Sequence, residues 1–216
     1  MSWRITPTQP IPAVIGEPFG GGFFAGYISH TADGNPTHAL IVAPRATGAT
    51  GTGYTLTTML AWKTANTTTS GTTSSFDGAA NTAAMVTAGI ADHPAANFCK
   101  NLSIGGFTDW YLPARYEIDI AYFNLKPSTA VNSTSWGINI YSVPRRDINN
   151  TTAYPTQTAL TAFNTSTEAF VAGLIWSSTE NASPLAWLSR FSDGLQDPNL
   201  KTNTLTAVRA FRRIAL

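Results

Sequence analysis

Residue types that could support catalysis or metal binding are few in this chain. It has 3 histidines, 1 cysteine and 12 acidic residues. His30, His38 and His93 stand in no serine-hydrolase or zinc-protease sequence pattern. Cys99 is alone, which excludes an intrachain disulfide and a cysteine-based zinc site, and we expect it to be a small buried side chain. We therefore predict neither a metal nor a cofactor.

The acidic and hydroxyl side chains also lack a catalytic arrangement. Glu117 and Asp119 are two residues apart on a predicted helix and so face different sides. Asp193 and Asp197 flank a predicted turn that could bind a cation or a sugar, but the repeated aspartates of a calcium loop are missing. The run 177–179, Ser-Ser-Thr, has no neighbouring base for a serine nucleophile. We predict a protein that is not an enzyme.

Length and charge narrow the possible partners. The 216 residues are 43% hydrophobic, which is enough for one well-packed domain. The net charge is +1 and no basic stripe occurs, so we predict no binding to nucleic acid. No apolar stretch approaches the ~18 residues of a membrane span, so we predict no membrane insertion.

The polar positions are mostly uncharged. Charged residues make up only 12% of the chain, against a usual ~25%. Threonine is abundant among the uncharged polar residues and occurs 32 times. Surfaces of neutral hydroxyls and amides are typical of adhesins, exported proteins and virus particles. Residues 1–12 have no apolar stretch after Arg4 and do not form a secretory signal. This favours a virion protein made in the host cytoplasm; the alternative is an exported protein whose signal is absent from this sequence.

Sequence patterns divide the chain into an arm and one domain. Residues 1–18 contain four prolines and predict an extended arm, which either packs on the domain or attaches it to another protein. Residues 19–216 predict a single domain with threonine-rich surface inserts at 45–76 and 126–168. Within it we predict a hairpin from 20–30 and 38–44, helices after Asp77, after Pro94 and at 114–125, and strands at 169–179, 185–194 and 206–214.

Several short motifs occur in the order and spacing of one known family. They are GGGFFAGYI with HALIVAP, FCKNLSIGGFTDWYLPARYEI, WSSTEN with AWLSRFSDG, and VRAFRRI. The matching residues are Gly106, Phe107, Asp109, Trp110, Leu112, Pro113, Glu117, Trp176, Ser177, Ser178, Thr179, Ala186, Trp187, Phe191, Gly194, Val208, Arg209 and Arg212. From about residue 16 to 214 the chain resembles the C-terminal domain family of collagen-like adhesins, the Lcl C-terminal-type domain of the C-type-lectin-like superfamily.

The chain departs from the family pattern at two positions. Tyr111 stands where the family has arginine after Trp110, and Ala114 stands where it has threonine or serine after Pro113. The first departure removes one member of a core ion pair, so we expect different internal hydrogen bonds there. Formylglycine-generating enzymes of the same superfamily use paired cysteines, which lone Cys99 does not supply.

The resemblance implies a fold and a core. The fold is an α+β C-type-lectin-like domain, with two helices packed on a twisted, mostly antiparallel sheet with long irregular loops. We expect Trp110, Trp176 and Trp187 to be structural core, each with its indole N–H satisfied. Asp109 is expected to form an internal charge pair with Arg209 or Arg212, because an unpaired buried carboxylate is very unfavourable.

The resemblance also implies a ligand face, in and between the last strands, at residues 180–203. Its candidate contacts are Asn181, Ser183, Arg190, Asp193, Gln196, Asn199, Lys201 and Asn203. A second candidate platform is Trp136, Asn139 and Tyr141 in the second insert. Aromatic rings stack on sugars and amides hydrogen-bond hydroxyl groups, so both sets suit a carbohydrate.

Three functions therefore remain open. The first is a virion-surface receptor-binding protein of bacteriophage tail-fibre or tail-tip type, which recognises a host surface glycan or protein. It would join other virion proteins through its arm and form a homo-oligomer such as a trimer. The second is a structural virion protein, in a capsid decoration or baseplate, without receptor binding. The third is an adhesin domain of a bacterial surface.

Overall fold

Short strands and helices alternate along the chain, joined by long irregular segments. The computed structural model describes residues 10–216. Its strands are β1 (Pro18–Phe19), β2 (Gly22–Ile28), β3 (His38–Val42), β4 (Ala49–Thr50), β5 (Ser142–Val143), β6 (Leu174–Ala182), β7 (Leu185–Arg190), β8 (Gln196–Leu200), β9 (Val208–Arg209) and β10 (Phe211–Ala215). Its helices are α1 (Arg45–Gly48), α2 (Gly78–Gly89), α3 (Pro94–Lys100), α4 (Arg115–Leu125) and α5 (Thr161–Asn164), with a 3-10 turn at Ile90–Asp92. The α+β class is confirmed, and α2, α3 and α4 lie close to the three helices that the sequence patterns predicted, whereas the resemblance implied two.

Two antiparallel sheets organise these elements. The main sheet has the order β1-β2-β3-β10, and β5 also pairs with β2. The second sheet has the order β6-β7-β8, while β4 and β9 pair with each other. In the main sheet, Phe211 lies opposite Val42 and Ala215 lies opposite His38, so the end of the chain completes the sheet begun by the first hairpin. Helix α4 packs across β2, β6 and β7 and thereby joins the two sheets.

Three fully buried tryptophans fill the centre of the core. Trp62, Trp110 and Trp176 are each 0% exposed. Their indole N–H groups donate to the carbonyls of Ser177, Phe107 and Leu60, at 2.8, 3.1 and 2.9 Å respectively. Trp62 belongs to the first threonine-rich insert, so the prediction that 45–76 is a surface excursion was wrong at its centre. A large apolar side chain there is stabilised by burial and draws the insert onto the domain.

Two predicted core residues lie closer to the surface. Trp187 is only half-buried, because its strand, β7, turns this side chain away from the core. The Asp109 side chain is 54% exposed and pairs with Arg212 at 2.8 and 2.9 Å. Arg209 is instead fully buried and donates to the Ala43 carbonyl at 2.8 Å and to Glu168 at 3.1 Å. The charge pair between the middle and the end of the chain is therefore present, with Arg212 as its cation.

The start of α4 depends on a buried carboxylate. Glu117 accepts hydrogen bonds from the backbone N–H of Ala114 at 2.7 Å, from the Tyr111 hydroxyl at 2.7 Å and from the N–H of Gly78 at 3.2 Å. It lies in the third position of the helix, where an acidic side chain can satisfy a free N–H at the helix start. Tyr111 thus supplies a neutral hydrogen bond at the position where the resembling family has arginine.

The second half of the predicted N-terminal arm packs against the domain. The Gly16 N–H donates to the Phe24 carbonyl at 2.7 Å, and Phe24 N–H donates back to Glu17 at 2.9 Å. Ile11 and Ile15 pack on the core, so residues 10–18 are part of the domain and not a free arm. Residues 1–9 of the predicted arm lie outside the described residues.

Replacement of Trp176 by alanine should destabilise the fold strongly. The variant loses a fully buried indole and its hydrogen bond to Leu60, so we expect the free energy of unfolding to fall by ~3–5 kcal/mol. Urea unfolding followed by circular dichroism measures this change. Trp187→Ala is the matched control, and its half-buried side chain should give a clearly smaller loss. Equal losses in the two variants would contradict the core described here.

Glu117 should make the fold less stable as the pH rises. Burial raises the pKa of this carboxyl from 4.5 to about 7, against the opposing hydrogen bonds from Ala114 and Tyr111. The folded state therefore holds a proton between pH 4.5 and 7 that the unfolded chain has lost. Its stabilising contribution, ~3 kcal/mol, is complete below pH 4.5 and disappears as the pH rises through 7.

The Glu117→Gln variant isolates this contribution. We expect the difference in unfolding free energy between wild type and the variant to fall steadily from pH 4.5 to 7 in urea titrations. All other titrating groups are common to both proteins, so their contributions cancel in the difference between the two free energies of unfolding. A pH-independent difference would show that Glu117 is charged in the folded state throughout this range.

Candidate functional site

A candidate ligand contact and a predicted core residue that are far apart in the sequence meet on one surface. The ring centroids of Trp136, in the second insert, and Trp187, on β7, are 5.9 Å apart and their planes are nearly perpendicular, at 76°. Arg115, the first residue of α4, lies against both rings, and Tyr116 follows it. We call these four residues, Arg115, Tyr116, Trp136 and Trp187, the aromatic platform. All four are half-buried, so each presents part of its side chain to solvent.

The Arg115 guanidinium lies among the aromatic rings of the platform. Its central carbon is 4.0 Å from the ring centroid of Trp187, 4.9 Å from that of Trp136 and 5.4 Å from that of Tyr116. Attraction between a cation and aromatic faces is worth ~0.5–2 kcal/mol and increases as water is removed. Burial lowers the pKa of Arg115, although a guanidinium stays charged at any physiological pH.

Helix α4 and strand β8 hold Arg115 in place. Its backbone N–H donates to the Thr179 hydroxyl at 3.1 Å, which ties the first turn of α4 to β6. Its Nε donates to the Gln196 side-chain oxygen. Gln196 is itself 3% exposed, and its amide nitrogen donates to Asp119 at 3.3 Å. The guanidinium is therefore fixed by its inner nitrogen, and the aromatic rings lie against it.

A buried polar network lies beneath the platform. Asp119, 2% exposed, accepts a hydrogen bond from the Asn139 amide at 2.8 Å and pairs with Arg146. Burial raises the pKa of Asp119, and the neighbouring Arg146 opposes this. Asn139 is 0% exposed and also donates to the Tyr116 carbonyl at 3.0 Å. The network joins α4, the second insert and β8, so it determines where the aromatic rings lie.

The second insert places Trp136 by backbone contacts. The Trp136 carbonyl accepts from the Asn150 N–H at 2.7 Å, and the Ser133 N–H donates to the Asp193 carbonyl at 2.9 Å. Gly137 has a φ of +128°, and a Cβ at this position would overlap Asn150. Glycine is therefore required next to Trp136 for the backbone segments around Gly137 and Asn150 to approach each other.

Further aromatic rings continue the surface beyond Tyr116. The ring centroid of Tyr141 is 5.7 Å from that of Tyr116 and 4.3 Å from that of Phe76, on which it stacks. Tyr141 and Phe76 are half-buried. The candidate Tyr141 is thus part of the same aromatic surface as Trp136, whereas the candidate Asn139 supports it from below.

The remaining candidates at 180–203 do not form one face. Arg190 and Asp193 pair with each other through two hydrogen bonds, of 2.8 and 2.5 Å, and close the turn after β7. Asn181, near the end of β6, and Ser183, just beyond it, are both exposed, and the Ser183 hydroxyl donates to the Asn66 carbonyl at 2.9 Å. The half-buried residues Asn199 and Asn203 lie in and after the edge strand β8.

Lys201 is a structural residue and not a surface contact, contrary to the prediction from the sequence. It is 0% exposed, and its ammonium donates to Glu180 at 2.6 Å and to the Thr67 carbonyl at 2.9 Å. Thr69 and Thr72 also donate to Glu180 through a backbone N–H and a hydroxyl, both at 2.9 Å. This pair fastens the first threonine-rich insert to β6 and to the end of β8.

Two platform residues were missed by the analysis of the sequence. Arg115 and Tyr116 were treated only as helix residues. Both residues lie in the first turn of α4 and are half-buried, whereas Glu117 in the same turn is buried, so no local pattern in the sequence marks them as surface-site residues. Within residues 10–216, no group of three or more histidine, cysteine or acidic side chains could hold a metal ion, and no helix is long and apolar enough to cross a membrane.

Comparisons with protein-family models and with curated proteins gave no match to this chain.

The buried pair of Lys201 and Glu180 should behave as a stability element. We expect Lys201→Met to reduce the free energy of unfolding by ~3–5 kcal/mol, because it leaves a buried carboxylate without its cation. In the double variant Lys201→Met/Glu180→Gln a neutral amide replaces the buried carboxylate, so part of the lost free energy of unfolding should be recovered. Urea unfolding of the four proteins in this cycle measures the coupling. Additive losses would show that the two side chains do not depend on each other.

Proposed function

We propose that this chain is a non-catalytic recognition module that binds a cell-surface glycan through the aromatic platform. The observation that carries the proposal is the half-buried cluster of Trp136, Trp187 and Tyr116 around one guanidinium. Aromatic rings held at a surface by a rigid scaffold are characteristic of binding hot spots, because they bring a large contact area at a small loss of conformational freedom. Sugar rings present C–H groups that stack on such faces, and their hydroxyl groups pair with amides.

The proposed fold is C-type-lectin-like. Support comes from the order of the sequence motifs and from their positions on the main and second sheets. The WSSTEN motif lies in β6 and AWLSRFSDG begins in β7, which is the region where this superfamily builds its ligand face. Trp187 of the aromatic platform lies on β7, and Gln196, which accepts the hydrogen bond from Arg115, lies on β8, so the proposed site overlaps that region.

The proposed setting is the surface of a virion, in a bacteriophage tail fibre or tail tip. The low charge and the abundance of threonine, serine and asparagine support this setting. In this proposal the N-terminal residues join other virion proteins, the copies assemble as a symmetric homo-oligomer such as a trimer, and the ligand belongs to the host cell surface. A bacterial surface adhesin would use the same site on the same type of ligand.

The Trp136→Ala variant tests the proposal. We expect the fluorescently labelled wild-type protein to bind host bacterial cells saturably and to bind members of a glycan array. Trp136→Ala should weaken this binding by about tenfold or more, with a melting temperature close to that of wild type. Tyr154→Ala, an exposed aromatic outside the platform at 55% exposure, is the matched control and should bind normally.

The same experiment separates the alternatives. Cell binding that survives periodate oxidation of surface sugars would indicate a protein receptor. A folded protein that binds neither cells nor glycans would contradict the proposal and support the structural virion protein.

A further inference from the structure

The outer end of the Arg115 side chain has no partner within the protein. Its Nε donates to Gln196, but no oxygen of residues 10–216 accepts a hydrogen bond from either terminal nitrogen, Nη1 or Nη2. Neither nitrogen is among the buried side-chain atoms that lack a partner, so both remain accessible to solvent. A guanidinium placed among aromatic rings with its outer edge free is arranged to donate two parallel hydrogen bonds to a ligand.

The charges around Arg115 leave a net positive site. Asp119 is the carboxylate that the platform network contains, and it is already paired with Arg146 and hydrogen-bonded by Asn139 and Gln196. Arg115 itself forms no ion pair within the described part of the chain. Two guanidinium groups and one carboxylate therefore leave an uncompensated positive charge at the exposed edge of the network.

The shape of this edge favours a carboxylate over other anions. A carboxylate is planar and accepts both hydrogen bonds of a guanidinium edge in one plane. A sulfate or phosphate group has more oxygens to satisfy, and the rings that face Arg115 offer no second charged donor for them, because an indole N–H and a phenol O–H are neutral. The rings lie against the guanidinium and leave its outer edge open, and this apolar surface strengthens its attraction to a negative charge.

We infer that the aromatic platform binds an acidic sugar, of the uronic or ulosonic acid type, in a surface polysaccharide. The carboxylate of this sugar pairs with the two terminal nitrogens of Arg115, and its ring stacks on the exposed face of Trp136. This inference rests on the proposed function and adds the chemical class of the ligand. It also predicts that salt weakens binding moderately, as expected for one ion pair at a partly buried site.

The probe is an array of oligosaccharides that end in uronic, nonulosonic or ulosonic acids, printed beside the same compounds after chemical reduction of their carboxyl groups. Reduction converts each carboxylate to a neutral alcohol and leaves the ring and its linkages intact. We expect wild-type protein to bind one or more carboxylated compounds and to lose at least tenfold in affinity for the reduced partner. Sulfated oligosaccharides without carboxyl groups complete the array.

Two substitutions of Arg115 assign the effect to its side chain. Arg115→Gln should abolish the preference for the carboxylated compound, so that the variant binds the carboxylated and the reduced compound with the same affinity. Arg115→Lys keeps the charge but has no planar pair of donors, so we expect partial binding only. Arg145→Gln removes an exposed arginine outside the platform, paired with Asp147 at 2.7 Å, and should bind like wild type. Melting temperatures of all variants identify any loss caused by misfolding.

The outcomes distinguish this inference from the proposed function. Equal binding to carboxylated and reduced compounds, lost in Trp136→Ala but kept in Arg115→Gln, would overturn the acidic ligand and leave glycan recognition in place. Binding to sulfated compounds alone would also overturn it, in favour of a general polyanion. Absence of binding to every compound would overturn both.

Discussion

The structure depends on the buried carboxylate of Glu117 and the three groups that donate to it. These groups come from the start of α2 (Gly78), the turn before α4 (Ala114) and the residue that bridges to β10 (Tyr111). A Cβ on Gly78 would overlap both Glu117 and Ala114, so the two helices can approach only with glycine there. Because Arg115 begins the helix that this carboxylate anchors, the positions of Arg115 and Tyr116 in the aromatic platform depend on the same interaction.

Two opposing contributions act on the Arg115 guanidinium in the aromatic platform, namely its loss of water and its contacts with the protein. Partial burial of the Arg115 guanidinium is unfavourable, and the aromatic rings and Gln196 offset that loss only in part. The side chain is thereby held in one orientation before any ligand arrives. Because the donor is already held in place, the protein loses less conformational entropy when a ligand binds, so even a small polar contact contributes to affinity. This is the physical reason to expect recognition at the aromatic platform.

Local signals in the sequence identified much of the framework. The Asp77 side chain accepts from the Ala80 N–H at the start of α2, as an N-cap residue before an alanine-rich run predicts. The first hairpin and α4 lie close to their predicted positions, because their apolar spacing is regular. β8 was not predicted, since Gln-Asp-Pro-Asn-Leu has little strand propensity and becomes a strand by pairing with β7.

The site was harder to predict than the framework, because it depends on contacts between distant segments. Trp136 and Trp187 were both singled out, but for different roles and in different groups. Nothing in the local pattern shows that the second insert folds back onto β7, or that Arg115 lies between them. The burial of Lys201 was not predicted for the same reason, because its partner Glu180 lies on β6, at a distance in the sequence. Pairings of this kind follow from the topology and not from residue type.

Nuclear magnetic resonance of the tryptophan indole N–H groups tests the central claim most directly. The titrant is the array oligosaccharide that binds the labelled protein most tightly. The account predicts that the signals of Trp136 and Trp187 shift together with that of the Arg115 Nε–H, while those of the buried Trp62, Trp110 and Trp176 stay in place. Saturable binding that leaves the signals of Trp136, Trp187 and Arg115 unchanged would contradict it.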